Sequence, residues 1–437
     1  MGNMLDTLRN AFKIADLRKK LMFTIFMLLV FRFGSHIPVP GINSEVFAEA
    51  FNKLGSLFGM VDIISGGSLK AATIFAMSIT PYINSSIIMQ LLTVAIPRLE
   101  RLQKEGEEGR KKIQQYVRYG TVILGFFQAS VMFISLKNMN SLVNKNPGIA
   151  EYLTIALALT AGTAFLMWLG EQITEKGVGN GISLIIFAGI VSRAPLGITT
   201  LYEYLIGGKF GSGIIGIVVL VLILAVFLGV IVGVIWVNQA ERRLPVQYAK
   251  RVVGRKMYGG QSTHIPIKVN LAGVIPIIFA MSIMMFPATI LQLFGQDTKT
   301  GWVSFFSNPG QGIGGAIGYS LVYSILIIFF TFFYSIIQFN PIEIANNLKK
   351  NGGIIPSVRP GKPTSDYISK VLGRITWFGG FFLAAVTVFP ILIGAIAGIQ
   401  GIWFGGTAVL ILVGVALETV KQIESMMLMR HYKGFLE

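Results

Sequence analysis

The sequence predicts an all-α polytopic membrane protein with ten transmembrane helices. Three observations carry the prediction. Hydrophobic residues make up 53% of the 437, and charged residues only 13%, about half the share of a typical soluble domain. Apolar stretches of bilayer-crossing character recur ten times, the fifth of them short. Lys and Arg concentrate in alternate connecting loops, as they do when positive charge sets membrane orientation.

The stretches are 20–37, 72–95, 116–136, 151–170, 181–195, 213–237, 271–292, 313–338, 373–396 and 402–422. The first has a basic lead-in of Arg18, Lys19 and Lys20 and is interrupted by Arg32. It reads as a retained helix, because the nearest small-residue cleavage pattern, Ala48-Glu49-Ala50, lies well past its apolar run. The sixth, Gly213 to Val237, holds no charge at all. One segment is neither a plain span nor a plain loop. From Leu54 to Ala72 it is partly apolar and broken by Gly66-Gly67. It reads as a re-entrant piece buried in protein or as an interfacial helix.

Ten spans place both termini on one side. Of the 37 Lys and Arg, 28 fall in the tails and loops of that side and seven in the opposite loops, which makes the terminal side cytoplasmic. Two cytoplasmic loops, 238–270 and 339–374, stand out. The first carries Arg242, Arg243, Lys250, Arg251, Arg255 and Lys256; the second carries Lys349, Lys350 and Arg359. Topology and anionic lipid headgroups account for a few such charges. The excess points to docking of a large anionic partner, a ribosome's RNA or an acidic motor surface.

Several function classes fall away. There are no cysteines, and three histidines lie far apart, so neither a metal site nor any cofactor is expected. Ion-coupled transport needs ionisable groups at mid-membrane. Here Glu151, Glu171 and Glu418 sit at span ends, and Arg32 and Arg118 sit near interfaces where long stems reach headgroups. Gly177-Val178-Gly179-Asn180-Gly181 lacks the preceding strand of a phosphate loop and reads as a flexible helix start. Gly361-Lys362-Pro363-Thr364 has a proline where a phosphate cradle needs a backbone donor. No catalytic cluster is present, so an enzyme is not expected.

Five motifs resemble one family. They are Phe33-Gly34-Ser35-His36-Ile37-Pro38-Val39-Pro40-Gly41; Pro81-Tyr82-Ile83-Asn84 through Gln90-Leu91-Leu92; Gly170-Glu171-Gln172-Ile173-Thr174-Glu175-Lys176 and the glycine run after it; Tyr248-Ala249-Lys250-Arg251 with Gln261 to Asn270; and Phe339-Asn340-Pro341 through Val358-Arg359-Pro360-Gly361. Long, ordered and spread over nearly the whole chain, they resemble the SecY family, the pore-forming subunit of the bacterial Sec protein translocase.

The resemblance implies two pseudo-symmetric inverted halves around a central hourglass pore: residues 1–195 with spans 1–5, an outer hinge loop at 196–212, and residues 213–437 with spans 6–10. It implies a pore ring of Ile79, Ile83, Ile182, Ile186, Ile278 and Ile411. It turns the odd segment into a plug, Leu57-Phe58-Gly59-Met60-Val61-Asp62-Ile63-Ile64-Ser65-Gly66-Gly67-Ser68-Leu69-Lys70. It implies a lateral gate between spans 2–3 and 7–8 and a SecA motor ATPase or ribosome on the basic loops. SecE-type and SecG-type subunits are implied as companions, and secretory and membrane proteins as clients. The place is the cytoplasmic (inner) membrane of a bacterium. The apolar ring is physically coherent: branched side chains leave a narrow constriction that dewets and blocks ions, and they hold no specific bonds against a passing chain.

Overall fold

The computed structural model describes residues 4–51, 59, 62–63, 65–144, 146–207, 214–248, 251–253, 256–258, 262–293, 312–397 and 405–433. A short α1 (Met4–Lys13) leads into α2 (Ala15–Gly34), and α3 (Ser44–Phe51) follows. Then come α4 (Thr80–Ala95), α5 (Pro97–Lys104), α6 (Glu107–Asn138), α7 (Ile149–Lys176), α8 (Gly181–Ser192) and α9 (Ala194–Ile206). The second set is α10 (Ile214–Gln239), α11 (Ile275–Leu293), α12 (Gly312–Gln338), α13 (Pro341–Lys350), α14 (Lys362–Ala397) and α15 (Gly406–Lys433). Ten of these helices stand where the ten spans are predicted. Seven of the described stretches are long and apolar enough by themselves to cross a membrane; α2, α4 and α11 occupy the other three places. The two sets meet along two seams. On one, α8 packs on α15; on the other, α11 packs on α6 and α4. A single apolar core bridges them, from Phe31, Ile79 and Ile186 to Met284, Tyr323 and Ile411.

Local chemistry sets the helix ends. Pro81 opens α4, where a missing N–H costs nothing. Asn180 caps α8 by accepting from Ser183 N, at 3.2 Å. The glycine run before it is a packed turn and not the flexible start predicted. Its amides are consumed internally: Val178 N donates to Thr24 Oγ1 and Gly181 N to Thr174 Oγ1. A side chain at 181 would strike the Gly170 carbonyl.

Two predictions need correction. The first third of the second span is not helical. Residues 65–79 run in successive turns, with Ala72 and Ser78 at positive φ. Their backbone is bound elsewhere: Val39 N donates to Ala72 O and Ile74 N to Ile37 O, both at 3.0 Å. This irregular chain is buried, as Ala72, Phe75, Ala76 and Ile79 show, and only such burial makes it tolerable at membrane depth. Secondly, residues 196–206 of the predicted hinge loop form most of α9. The α8–α9 junction at Arg193 keeps helical angles.

The two basic loops also carry strands that the sequence reading did not foresee. A sheet ordered β4-β1-β5 joins them, with β1 Glu241–Tyr248, β4 Ser262–Lys268 and β5 Gly353–Ile354. A separate hairpin pairs β2 (Arg251–Val253) with β3 (Lys256–Tyr258). In the main sheet Leu244 faces Ile265 and Arg242 faces Ile267 across antiparallel strands. Leu244, Val246, Ile267, Leu348, Ile355, Ile368 and Leu372 form one small core under both loops. The described parts of the two basic loops therefore share one core and one sheet.

Candidate functional site: converging isoleucines and a buried turn

The six isoleucines come from four helices, or from the residue capping one, and all join the central core. Ile79, Ile186 and Ile411 are buried in it; Ile83, Ile182 and Ile278 are partly buried against it. Ile79 caps α4, and Ile83 N donates to its carbonyl, so the pair shares one face across the first helical turn. Ile182 and Ile186 keep the same spacing on α8. Ile182 also lies over Gly170 of α7, where a Cβ would come within 2.5 Å of its Cδ1. The close approach of α8 to α7 needs Gly181, where a Cβ would stand 2.0 Å from the Gly170 carbonyl oxygen.

Of the plug positions, Gly59, Asp62, Ile63 and Ser65–Lys70 are described; Leu57, Phe58, Met60, Val61 and Ile64 lie outside the described residues. Ile63 packs against the central core and Leu69 against a second core built on α3, α6 and α7. Turns close the segment: Gly67 N donates to Asp62 O at 2.9 Å, and Lys70 N to Asp62 Oδ1 at 2.8 Å. The segment lies against the C-terminal end of α8. Gly66 (φ +68°) comes so near that a Cβ there would stand 3.0 Å from Gly189 Cα, and Gly67 (φ +92°) faces the Arg193 guanidinium. Only glycine meets both demands, the left-handed backbone and the close approach.

Charged groups here depart from the prediction that they reach headgroups. Arg32 turns inward and donates from Nη1 to Gly66 O (3.2 Å) and to Ser192 Oγ (3.3 Å). Arg193 pairs with Asp62. Arg118 pairs with Glu171 at 2.9 Å, with Gln114 also donating to Glu171 at 3.2 Å, which ties α6 to α7. In lipid a guanidinium gains more from a carboxylate or carbonyl at hand than from stretching to the interface. Sequence reasoning missed the Asp62–Arg193 pair; the one signal was a lone carboxylate inside an apolar segment.

Of the predicted docking positions, Arg242, Arg243, Lys349, Lys350 and Arg359 are exposed around the three-stranded sheet and its supporting helix. Arg243 is partly neutralised by Glu241, 2.7 Å away. Arg251 and Lys256 lie on the hairpin strands, and Lys250 and Arg255 lie outside the described residues.

The family model described as SecY matches residues 73–420. The chain belongs to the SecY family. A protein translocase subunit SecY of Halalkalibacterium halodurans is 51% identical over 437 residues, covering 99% of this chain and all of the relative. Its Bacillus subtilis counterpart is 47% identical with the same coverage. Among solved structures, one described as "The structure of a protein conducting channel" matches with TM-score 0.67 at 19% identity, covering 93% of this chain and 92% of that one. Sec61 in a canine ribosome–channel complex matches with TM-score 0.62 at 18% identity over the same shares. SecY proteins are channel subunits and not enzymes. The chain is thus a multi-pass membrane protein and a SecY-type subunit of a protein-conducting channel, with the ten-helix fold of that channel.

Proposed function

We propose that this subunit is a passive conduit that carries unfolded secretory chains across the bacterial cytoplasmic membrane and releases apolar segments sideways into lipid. The observation that carries the reading is the convergence of six isoleucines on one apolar core, with the plug segment packed against that same core. Each charged residue crossing lipid directly costs about 2.5–3.5 kcal/mol, so a secreted chain needs an aqueous route. A sufficiently apolar segment prefers lipid and leaves through a gap between helices. The seam where α11 lies on α4 and α6 is the gate in this reading. Residues 1–195 and 213–437 are the two halves, moving about 196–212. Ile79, Ile83, Ile182, Ile186, Ile278 and Ile411 form the ion-tight collar, and residues 57–70 plug the outer funnel.

The conduit supplies no energy. A SecA-type motor or a ribosome docks on loops 238–270 and 339–374, whose shared core gives it a firm platform. The ribosome complex of canine Sec61 supports that partner. SecE-type and SecG-type subunits complete the assembly, anionic lipids meet the cytoplasmic charges, and both termini are cytoplasmic. The test is preprotein import into proteoliposomes holding the chain and its copurifying subunits, supplied with motor and ATP. Import is expected, and Arg359→Glu with Arg251→Glu lowers it with assembly intact. Failure of wild-type import refutes the conduit, and full import by the double variant refutes the docking site.

A further inference from the structure

We propose that Asp62, Arg193 and Arg32 form a charged latch whose strength sets how readily the plug leaves its seat. This rests on the plug reading above. Asp62 is the one acidic residue in positions 57–70. Its side chain is 6% exposed and meets the Arg193 guanidinium, itself 17% exposed. Arg32 holds the other side of the turn through the Gly66 carbonyl. Three separate parts of the chain thus grip one turn: the end of α2, the segment itself and the cap of α8.

Two features mark this cluster as a latch and not a permanent rivet. The first is incomplete pairing. Arg193 meets the carboxylate while Arg32 donates to the Gly66 carbonyl and Ser192 Oγ, and among the described residues Arg193 Nε and the Ser68 hydroxyl find no hydrogen-bond partner. Desolvating two ions is repaid only when geometry and pairing are complete, so this closed seat is held with little surplus. Plug release lets water reach every one of these groups. The second feature is position. Arg193 caps the same helix that carries Ile182 and Ile186. Any shift of α8 that widens the collar therefore pulls Arg193 from Asp62. Collar and plug open together because one rigid element serves both.

The latch predicts a signed pattern. Asp62→Asn leaves two cations facing each other across the seat, and the open population rises about tenfold. Asp62→Asn with Arg193→Gln replaces both ions by amides, and much of the closed state returns. The full chain with its copurifying subunits is placed in proteoliposomes, and ion leak is followed with a chloride-sensitive dye. A second readout uses the absence of native cysteine. Ser68→Cys is buried while the plug is seated, and it reacts with a membrane-impermeant maleimide only after release. Higher leak and faster labelling in Asp62→Asn, both reduced in the double variant, support the latch. If deletion of 57–70 raises leak and Asp62→Asn does not, the latch is refuted and the plug stands. If the deletion itself leaves leak unchanged, the plug reading falls and the latch with it. Should Asp62→Asn fail to assemble, Arg32→Gln reads the same seat: a higher leak supports the latch, and a wild-type leak overturns it.

Discussion

Gly162 on α7 faces the buried turns that replace the first third of the second span. A Cβ at 162 would stand 2.0 Å from the carbonyl oxygen of Ile74, where real Cβ contacts do not fall below 3.0 Å. Gly162→Ala therefore demands a displacement of about 1 Å from backbone, not from a side chain that could rotate away. That backbone is anchored, since Ile74 N donates to Ile37 O and Val39 N to Ala72 O. Overpacking of this kind costs about 1–3 kcal/mol. Ile79 lies five residues on, so the strain also reaches the collar. Gly229 and Gly233 on α10 are the control: no described atom lies within 4 Å of a Cβ at either. Alanine there gains up to about 1 kcal/mol of helix propensity. Thermal unfolding of the purified complex in detergent, followed by ion leak in vesicles, separates the cases. Gly162→Ala is expected to unfold at lower temperature and to leak, and the α10 variants to match or exceed wild type. A Gly162→Ala protein as stable and as tight as wild type refutes the close approach.

Ile83→Gly with Ile186→Gly raises ion leak in vesicles, since two branched side chains leave the collar; an unchanged leak removes them from the seal. Glu171→Gln weakens the tie between α6 and α7. Because the Arg118 side chain is 42% exposed, the loss is held to about 1 kcal/mol, read as a small fall in unfolding temperature with import retained. Leu244→Asp puts a charge into the 1%-exposed centre of the small core under both loops, at a cost of several kcal/mol. Trypsin should then cut loop 238–270 faster and motor-driven import should fall, and wild-type cleavage would contradict the shared platform.

Much of the chain was legible without coordinates because lipid imposes length and composition on whatever crosses it. The uncharged run Gly213 to Val237 became α10 almost residue for residue. The three-stranded sheet was legible in principle: Leu244 and Val246 alternate with exposed neighbours on β1, but a search for long apolar helices passes over seven-residue strands. Residues 72–79 were misread because composition alone fits a helix. What decides them is hydrogen bonding to residues 37–39, some 35 positions away.

The sequence by itself determined the ten spans, the polarity of the loops and, through its motifs, the family. Hydrophobic length and charge bias are local quantities, summed along the chain and needing no partner. Only the tertiary structure decided that Asp62 meets Arg193, that Arg32 turns to the Gly66 carbonyl, that isoleucines from four helices share one core and that two distant basic loops stand on one sheet. Each of these is a pairing between residues far apart in sequence, set by which helices pack together, and no count along the chain contains that information.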